Sequence, residues 1–491
     1  MNYNYDSQLG LACITDTERD IKVLCPVARP GQRYEATIAY TMARYSRSAE
    51  SVENLLNEAQ GVDADKRLHN IFYNYGHGSV QGLATLSVCF EGIPLWFAFY
   101  LFNTMPLGAG QERSTRYQKM GDYYRVGDES YDESMDYLFS AYEELYEPTR
   151  EALARAYSVD MSDKRQVQAL DARTLDCTRY LLPMGARTSL GITSDAETWS
   201  RFISDLLSNQ INSGPDELYS AIGHMLKQLL GGCPELEAQG YVAGAPGLIR
   251  HAEARHDLSA SLANMARAAQ SSLTVNMRDE YYRSKLVIVQ EQDCDIVGNL
   301  ALLLQNDVYR PALVLSTSRR LLATLQEELT TWRHYDRLPT QFNAPHMYMS
   351  GYMDVGAARD FNRHRSIWRY FPALTNVELL RGDAGYTLPL YVEHLPIAER
   401  YREVLDKYYE TLGGSAIQYR IPLAHNIRYC IGGTHKHMAY VCQLRSRVGG
   451  HINYRVIANE WANSIAEVNP LFDLTHIIRV VENGRDEFLS R

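Results

Sequence analysis

The feature that most constrains this 491-residue chain is a weak internal repeat, because a repeat turns a length that suggests two or three domains into two similar units. On the first side, IAYTMARYSRSAESVENLL precedes LPMGART, a run of two helices and Gly232-Cys233-Pro234. On the second, ALVLSTSRRLLATLQEEL precedes IPLAHNIR, another two-helix run and Val468-Asn469-Pro470. The offset drifts over about 235 to 275 positions, as insertions would make it drift. Between the copies, from about Glu237 to Arg283, the segment AQGYVAGAPG and an alanine-rich charged stretch lose helical regularity and read as a connector. The expected organisation is a first copy over 20–236, a connector over 237–283 and a second copy over 284–475.

Local signals place some of the helices. Ser194 with Glu197 three residues on forms a capping-box pattern that opens TWSRFISDLLSN. The next helix starts at Ser213-Gly214-Pro215 and stops at LLGGCP, where glycine takes the left-handed cap and Pro234 cannot continue. The most apolar stretch, Glu91 to Met105 (EGIPLWFAFYLFNTM), is too short to span a bilayer and reads as a buried helix. No run of 18 uncharged apolar residues occurs, and the N-terminus lacks a basic region followed by an apolar one, so no membrane partner and a cytoplasmic location are expected. A formal net charge of -10 argues against nucleic acid. It leaves room for a local arginine cluster on a small phosphorylated molecule. The eight cysteines are scattered without a CxxC pair, which fits reduced thiols and gives no metal site.

Two motifs concentrate chemistry. Gln111 to Tyr117, QERSTRY, packs a carboxylate, a hydroxyl, two guanidiniums and a phenol into seven residues. Such a cluster either holds a phosphorylated ligand, with arginine forking onto phosphate oxygens, or is a solvated loop with an internal ion pair. Phe361 to Arg365, FNRHR, follows the apolar stretch MYMSGYMDVGAA. Two arginines flanking a histidine suit an anionic ligand, although as an isolated triplet they are more often surface residues.

Together these motifs resemble the signature of the flavin-dependent thymidylate synthases, in which RHR is followed by a segment of the form N-E-x-S-x-R-Y. Here the signature is split. The first copy has Gln111, Glu112, Ser114, Arg116 and Tyr117, but Thr104-Met105-Pro106 in place of RHR; the second has Arg363-His364-Arg365, but Tyr370, Phe371 and Ala373 in place of the asparagine, glutamate and serine. Gly76-His77-Gly78-Ser79 is similar to the family's histidine segment near folate and flavin. Arg428 after IPLAHNI, and Leu444-Arg445 followed by GGHINYR, are similar to its phosphate-binding elements, whereas the first copy has Ser189 and Leu206-Leu207 there.

The resemblance implies an α+β fold in two tandem copies, each a small, mostly antiparallel sheet with long helices. It implies reductive methylation of deoxyuridylate with methylenetetrahydrofolate, and FAD reduced by NADPH. Arg116, Arg428 and Arg445 would then hold the nucleotide phosphate, with Arg363 near the phosphate or uracil. His364 and Arg365, with His77 and Ser79, would contact the flavin, and Glu112 would orient nucleotide or flavin. Ser114 is expected to bind rather than to act as a nucleophile, since no histidine adjoins it in sequence. Each copy keeps what the other lost, so one composite site per chain is expected, completed by homodimerisation into a four-copy assembly. Several residues depart from the pattern: Asp360 replaces a glutamine beside RHR, Gly449 a flavin-contacting histidine, His451 a glutamine, and Lys436 and Tyr440 an arginine and an asparagine. These departures keep two other readings open, a flavin enzyme retuned to another nucleotide and a non-catalytic nucleotide-binding protein.

Overall fold

A computed structural model describes residues 1–71, 78–105, 108–208, 217–257, 284–288, 346–372, 385–468 and 478–490, with a few isolated positions between them. The chain divides into two compact units. Unit 1 comprises residues 1–113, 122–126 and 185–276, and unit 2 comprises 114–121, 127–184 and 277–491.

Unit 1 is built on a six-stranded sheet in the order β1-β2-β3-β4-β6-β5, with all of its strand pairings antiparallel. Strands β1 (Asn2–Asp6), β2 (Leu11–Asp16) and β3 (Ile21–Pro26) precede helices α1 (Tyr34–Tyr45), α2 (Val52–Gln60) and α3 (Ala64–His69). Strand β4 (Thr85–Pro94) runs directly into α4 (Leu95–Thr104), and β5 (Ala109–Glu112) follows. The expected helix over Glu91 to Met105 is thus corrected: Glu91–Pro94 finish a strand and Pro94 is the N-cap of α4. A short apolar run does not distinguish strand from helix by periodicity. Gly92, at φ +75°, makes the bulge in β4 that lets this change occur, and the Arg187 guanidinium donates to its carbonyl at 2.7 Å.

The second half of unit 1 is β6 (Arg187–Asp195), α8 (Ala196–Leu207), α9 (Glu217–Gly231) and α10 (Pro234–Glu237). Strand β6 alternates half-buried and buried residues without a break, the period of a strand with one face on a core. The side chain that caps α8 is Asp195, which accepts from Thr198 N, one residue beyond the expected Ser194. Residues 213–215 lie outside the described residues. Within the expected connector, Tyr241, Ala245, Leu248, Ile249 and Ala252 are buried in unit 1, and Gly247 N donates to Asp65 at 2.7 Å.

Unit 2 takes the helices between β5 and β6, namely α5 (Glu129–Glu144), α6 (Tyr146–Ala156) and α7 (Lys164–Thr178), continued by a 3-10 turn over Arg179–Leu181. It adds a four-stranded sheet in the order β7-β8-β10-β9. Its elements are β7 (Ser284–Ile288), β8 (His346–Asp354), α11 (Val355–Phe361), β9 (Trp368–Tyr370), α12 (Ile397–Thr411), α13 (Ile417–Arg420), β10 (Asn426–Thr434), α14 (His435–Arg445), α15 (Ile452–Val468) and α16 (Arg485–Leu489).

The order β3-β4-β6-β5 in one sheet has the same connectivity as β7-β8-β10-β9 in the other. In each, a long strand runs into a helix, an edge strand follows, and a central strand leads into a helical pair. The two proline motifs meet within unit 2 through reciprocal hydrogen bonds: Met184 N donates to Ile421 O at 2.8 Å and Leu423 N to Leu182 O at 2.9 Å. Equivalent residues exchanging equivalent bonds is what a local two-fold relation between repeated segments requires. The fold is α+β in two copies of one pattern, as the sequence led us to expect.

Candidate functional site

The helix that follows the long strand of each sheet, β4 or β8, differs between the two. In unit 1, α4 reads LWFAFYLFNT, and Tyr100 lies against Tyr219 and Phe202, with ring centroids 5.3 and 6.1 Å apart. This is an apolar core. In unit 2, α11 reads VGAARDF, and Arg359 and Asp360 stand where α4 has aromatic residues. The cap of α11 is Asp354, which accepts from Ala357 N at 2.7 Å and from the Tyr180 hydroxyl at 2.8 Å.

Helix α7 and the 3-10 turn that continues it carry the other half of the cluster. Arg173, Asp176 and Arg179, three residues apart and so on nearly one helical face, are all buried. Asp176 is gripped by the Arg116 guanidinium through Nε at 2.6 Å and Nη2 at 3.0 Å, and by Arg173 Nη1 at 3.3 Å. Arg116 also donates to the carbonyl of Gly449 at 3.1 Å and faces the Tyr454 hydroxyl at 3.4 Å. Its burial opposes the charge, but Asp176, Tyr454 and Asp360 favour it, so the guanidinium stays protonated. The Ser114 hydroxyl accepts from Arg116 N at 3.2 Å, a turn contact that sets the loop. The Thr115 hydroxyl accepts from Arg179 and Arg359, each at 3.4 Å.

Asp360 sits among these arginines. Its carboxylate oxygens lie 3.7 Å from Arg179 Nη2 and 3.7 Å from Arg445 Nη1. Burial alone would raise its pKa, but Arg445, Arg179, Arg363 and Arg116 hold it down to about 2. At 3.7 Å the two ion pairs are wider than hydrogen bonds. The buried Nε and Nη2 of Arg179 make no hydrogen bond among the described residues. Buried guanidinium donors that the protein leaves unmatched favour an oxyanion with several acceptor oxygens.

Neutral histidines complete the frame. His364 Nε2 lies 2.8 Å from Arg445 Nε, and burial with the Arg445 and Arg369 charges holds His364 well below its ordinary pKa. It therefore accepts from Arg445 as a neutral ring. His451 is pushed down to about 3, mainly by burial. Its Nε2 donates to the Asp176 carbonyl at 3.0 Å, its Nδ1 accepts from Asn453 N at 3.2 Å, and its ring stacks on Tyr180 at 5.3 Å.

Of the residues singled out in the sequence, Arg116, Arg363, His364 and Arg445 come together, with Ser114 setting the loop. Arg428 does not join them: its Nε donates to Tyr352 at 2.5 Å, its partner across β8 and β10. Strand pairing turns that side chain onto the sheet face that also carries half-exposed Trp368 and Tyr370. Arg365 is exposed. Glu112 is buried on β5 and Ser79 is exposed, both in unit 1. His77 lies outside the described residues. Sequence reasoning missed Asp176, Arg173, Arg179 and Arg359, which follow no motif. Their signal was charge at positions where the helical period calls for apolar side chains.

Among the described residues, Arg116, Arg173, Arg179, Arg359 and Arg445 gather around Asp176 and Asp360 in unit 2. Residues 32–235 match the family described as "Thymidylate synthase complementing protein". A UPF0159 protein of Chlamydia pneumoniae is 25% identical over 473 residues, covering 87% of this chain and 84% of its own. One from Thermoplasma acidophilum is 21% identical, covering 90% and 95%. Among solved structures, a UMP/dUMP methylase, PolB, from Streptomyces cacaoi bound with 5-Br dUMP is 15% identical, with 48% of this chain and 96% of that one covered and a TM-score of 0.31. The flavin-dependent thymidylate synthase ThyX from Helicobacter pylori, complexed with FAD and dUMP, is 15% identical, with 42% and 92% covered and a TM-score of 0.25.

Proposed function

We propose that this chain is an FAD-dependent thymidylate synthase that methylates dUMP reductively at C5, using methylenetetrahydrofolate and NADPH, at one composite site in unit 2. The observation that carries this reading is the Arg116, Arg179 and Arg445 cluster, in which the buried Nε and Nη2 of Arg179 make no hydrogen bond among the described residues and Nη2 reaches Asp360 only as a 3.7 Å ion pair. A nucleotide 5′-phosphate supplies acceptors of the required number and charge. Asp176 and Arg173 fix Arg116, and neutral His364 fixes Arg445, so little rearrangement is needed when the phosphate arrives. Uracil would lie toward Arg363, where a cation stabilises charge developing on the pyrimidine carbonyl.

The residues present also fit a flavin dinucleotide in kind. Arg363 and Arg365 offer cations at the end of α11, and Arg428 shares a sheet face with Trp368 and Tyr370, whose rings stack 6.3 Å apart. Cations and flat aromatic faces are what a pyrophosphate and an isoalloxazine require. The flavin, when bound and reduced, supplies the hydride. The internal duplication, the homodimer and the cytoplasmic location belong to the same reading.

Asp360 favours a second reading. A carboxylate held ionised accepts hydrogen bonds and repels phosphate, so a site containing it suits a nucleotide that presents a donor there, such as a sugar hydroxyl or an exocyclic amine. The test is to incubate the protein with FAD, NADPH, methylenetetrahydrofolate and dUMP and to follow thymidylate by mass spectrometry. Thymidylate that disappears in Arg116→Ala is the expected result. A protein that binds FAD but yields no thymidylate contradicts the substrate and favours the second reading. Neither product nor bound flavin contradicts the enzyme.

A further inference from the structure

We propose that the carboxy-terminal helix α16 is a clamp that sets the two arginines flanking the anion site, Arg116 and Arg445, with Glu487 as its positioning residue. The tail carrying α16 lies beyond the repeated pattern, and a helix of five residues has too few internal hydrogen bonds to hold itself. Its order comes from what it grips. Phe488 is fully buried, stacked on Tyr157 at 4.0 Å and edge-on to Tyr391 at 5.3 Å.

Two arms run from this anchor to the site. In the first, Arg173 donates through Nε to the Phe488 carbonyl at 3.2 Å and through Nη2 to the Glu487 carbonyl at 3.3 Å. Its remaining nitrogen, Nη1, reaches Asp176 at 3.3 Å and the Gly450 carbonyl at 2.9 Å. The tail therefore fixes the plane of Arg173, Arg173 fixes Asp176, and Asp176 holds Arg116. In the second arm, the Glu487 carboxylate takes both terminal nitrogens of Arg455, at 2.6 and 2.9 Å. Arg455 Nε donates to the Ser446 carbonyl at 3.2 Å, at the end of α14 next to Arg445. Arg455 is fully buried, so Glu487 supplies a counter-charge that this position cannot do without.

A bidentate pair fixes orientation as well as charge. Loosening it moves guanidiniums whose value to a phosphate depends on placement within fractions of an ångström. The inference rests on the anion-site reading above, and its test separates the two. Binding of dUMP and of 2′-deoxyuridine is measured by calorimetry for the full chain, Glu487→Gln, Glu487→Asp and a chain lacking residues 485–491. Glu487→Gln is expected to weaken dUMP by about tenfold while leaving the nucleoside nearly unchanged, because only the phosphate uses these arginines. Glu487→Asp recovers part of the loss, and a synthetic peptide of residues 478–491 restores the truncated chain. Equal losses for both ligands, or a lowered melting temperature with dUMP affinity unmoved, overturn the clamp and leave a structural tail.

If the full chain itself binds no dUMP, the anion-site reading fails and hydrogen exchange decides the clamp. Truncation should then speed exchange at the ends of α7 and α14, and the peptide should reverse it. Unchanged protection at either end overturns the clamp.

Discussion

Asp360 sets the character of the site. Its carboxylate neutralises part of an arginine cluster that would otherwise repel itself, and in doing so it competes with any phosphate for the same guanidiniums. Asp360→Asn should therefore make the ligand-free protein less stable and dUMP binding tighter, by about tenfold, since one like charge leaves the phosphate's surroundings. Thermal melts with and without dUMP would read both effects together. A larger ligand-induced rise than in the unsubstituted protein is expected, and a smaller one contradicts this role. Half of the site's arginines were legible as residues. RHR and QERSTRY stand out because charge is concentrated in sequence. Arg173, Asp176 and Arg179 are spread at helical spacing among Leu170, Leu175 and Cys177 in α7, where the apolar stripe hides them. Arg428 was legible as a cation, but strand pairing with Tyr352 decides where it points.

At the scale of elements, the join between β8 and α11 carries the most consequence. Asp354 caps the helix and ties it to the Tyr180 hydroxyl and, at 3.4 Å, to Asn453 Nδ2, so one buried carboxylate aligns three segments. Asp354→Ala should destabilise the protein by about 2–4 kcal/mol, combining a lost cap with buried donors left unmatched. Urea unfolding followed by far-ultraviolet dichroism measures this, and a change below about 1 kcal/mol would contradict the alignment. The two helices after β6 in unit 1 were readable from a cap and a stop, as at LLGGCP, where Gly232 takes a φ of +86° before Pro234. Strand β4 was not, because its final residues and the first turn of α4 form one apolar run broken only by a proline. Pro94 closes the strand and opens the helix, and nothing in composition distinguishes that use from a kink.

For the whole molecule, the repeat in the sequence corresponds to the repeated strand order, but the compact units do not follow the copy boundaries. Residues 127–184 come from the first copy and are counted with unit 2, so Arg116, Asp176 and Arg179 share a unit with Arg363 and Arg445. Sequence comparison of the copies pairs equivalent residues and does not tell which segments pack together, which depends on contacts far apart in the chain. The corresponding region of unit 1 is an aromatic core around Tyr100. A single anion site in each chain is therefore expected. The measurement that tests it most directly is the stoichiometry and affinity of dUMP by calorimetry, in the full chain and in Arg179→Ala. One dUMP per chain is expected, bound about tenfold to a hundredfold more weakly when Arg179 is removed. Two equivalent sites per chain, or an affinity indifferent to Arg179, would contradict it.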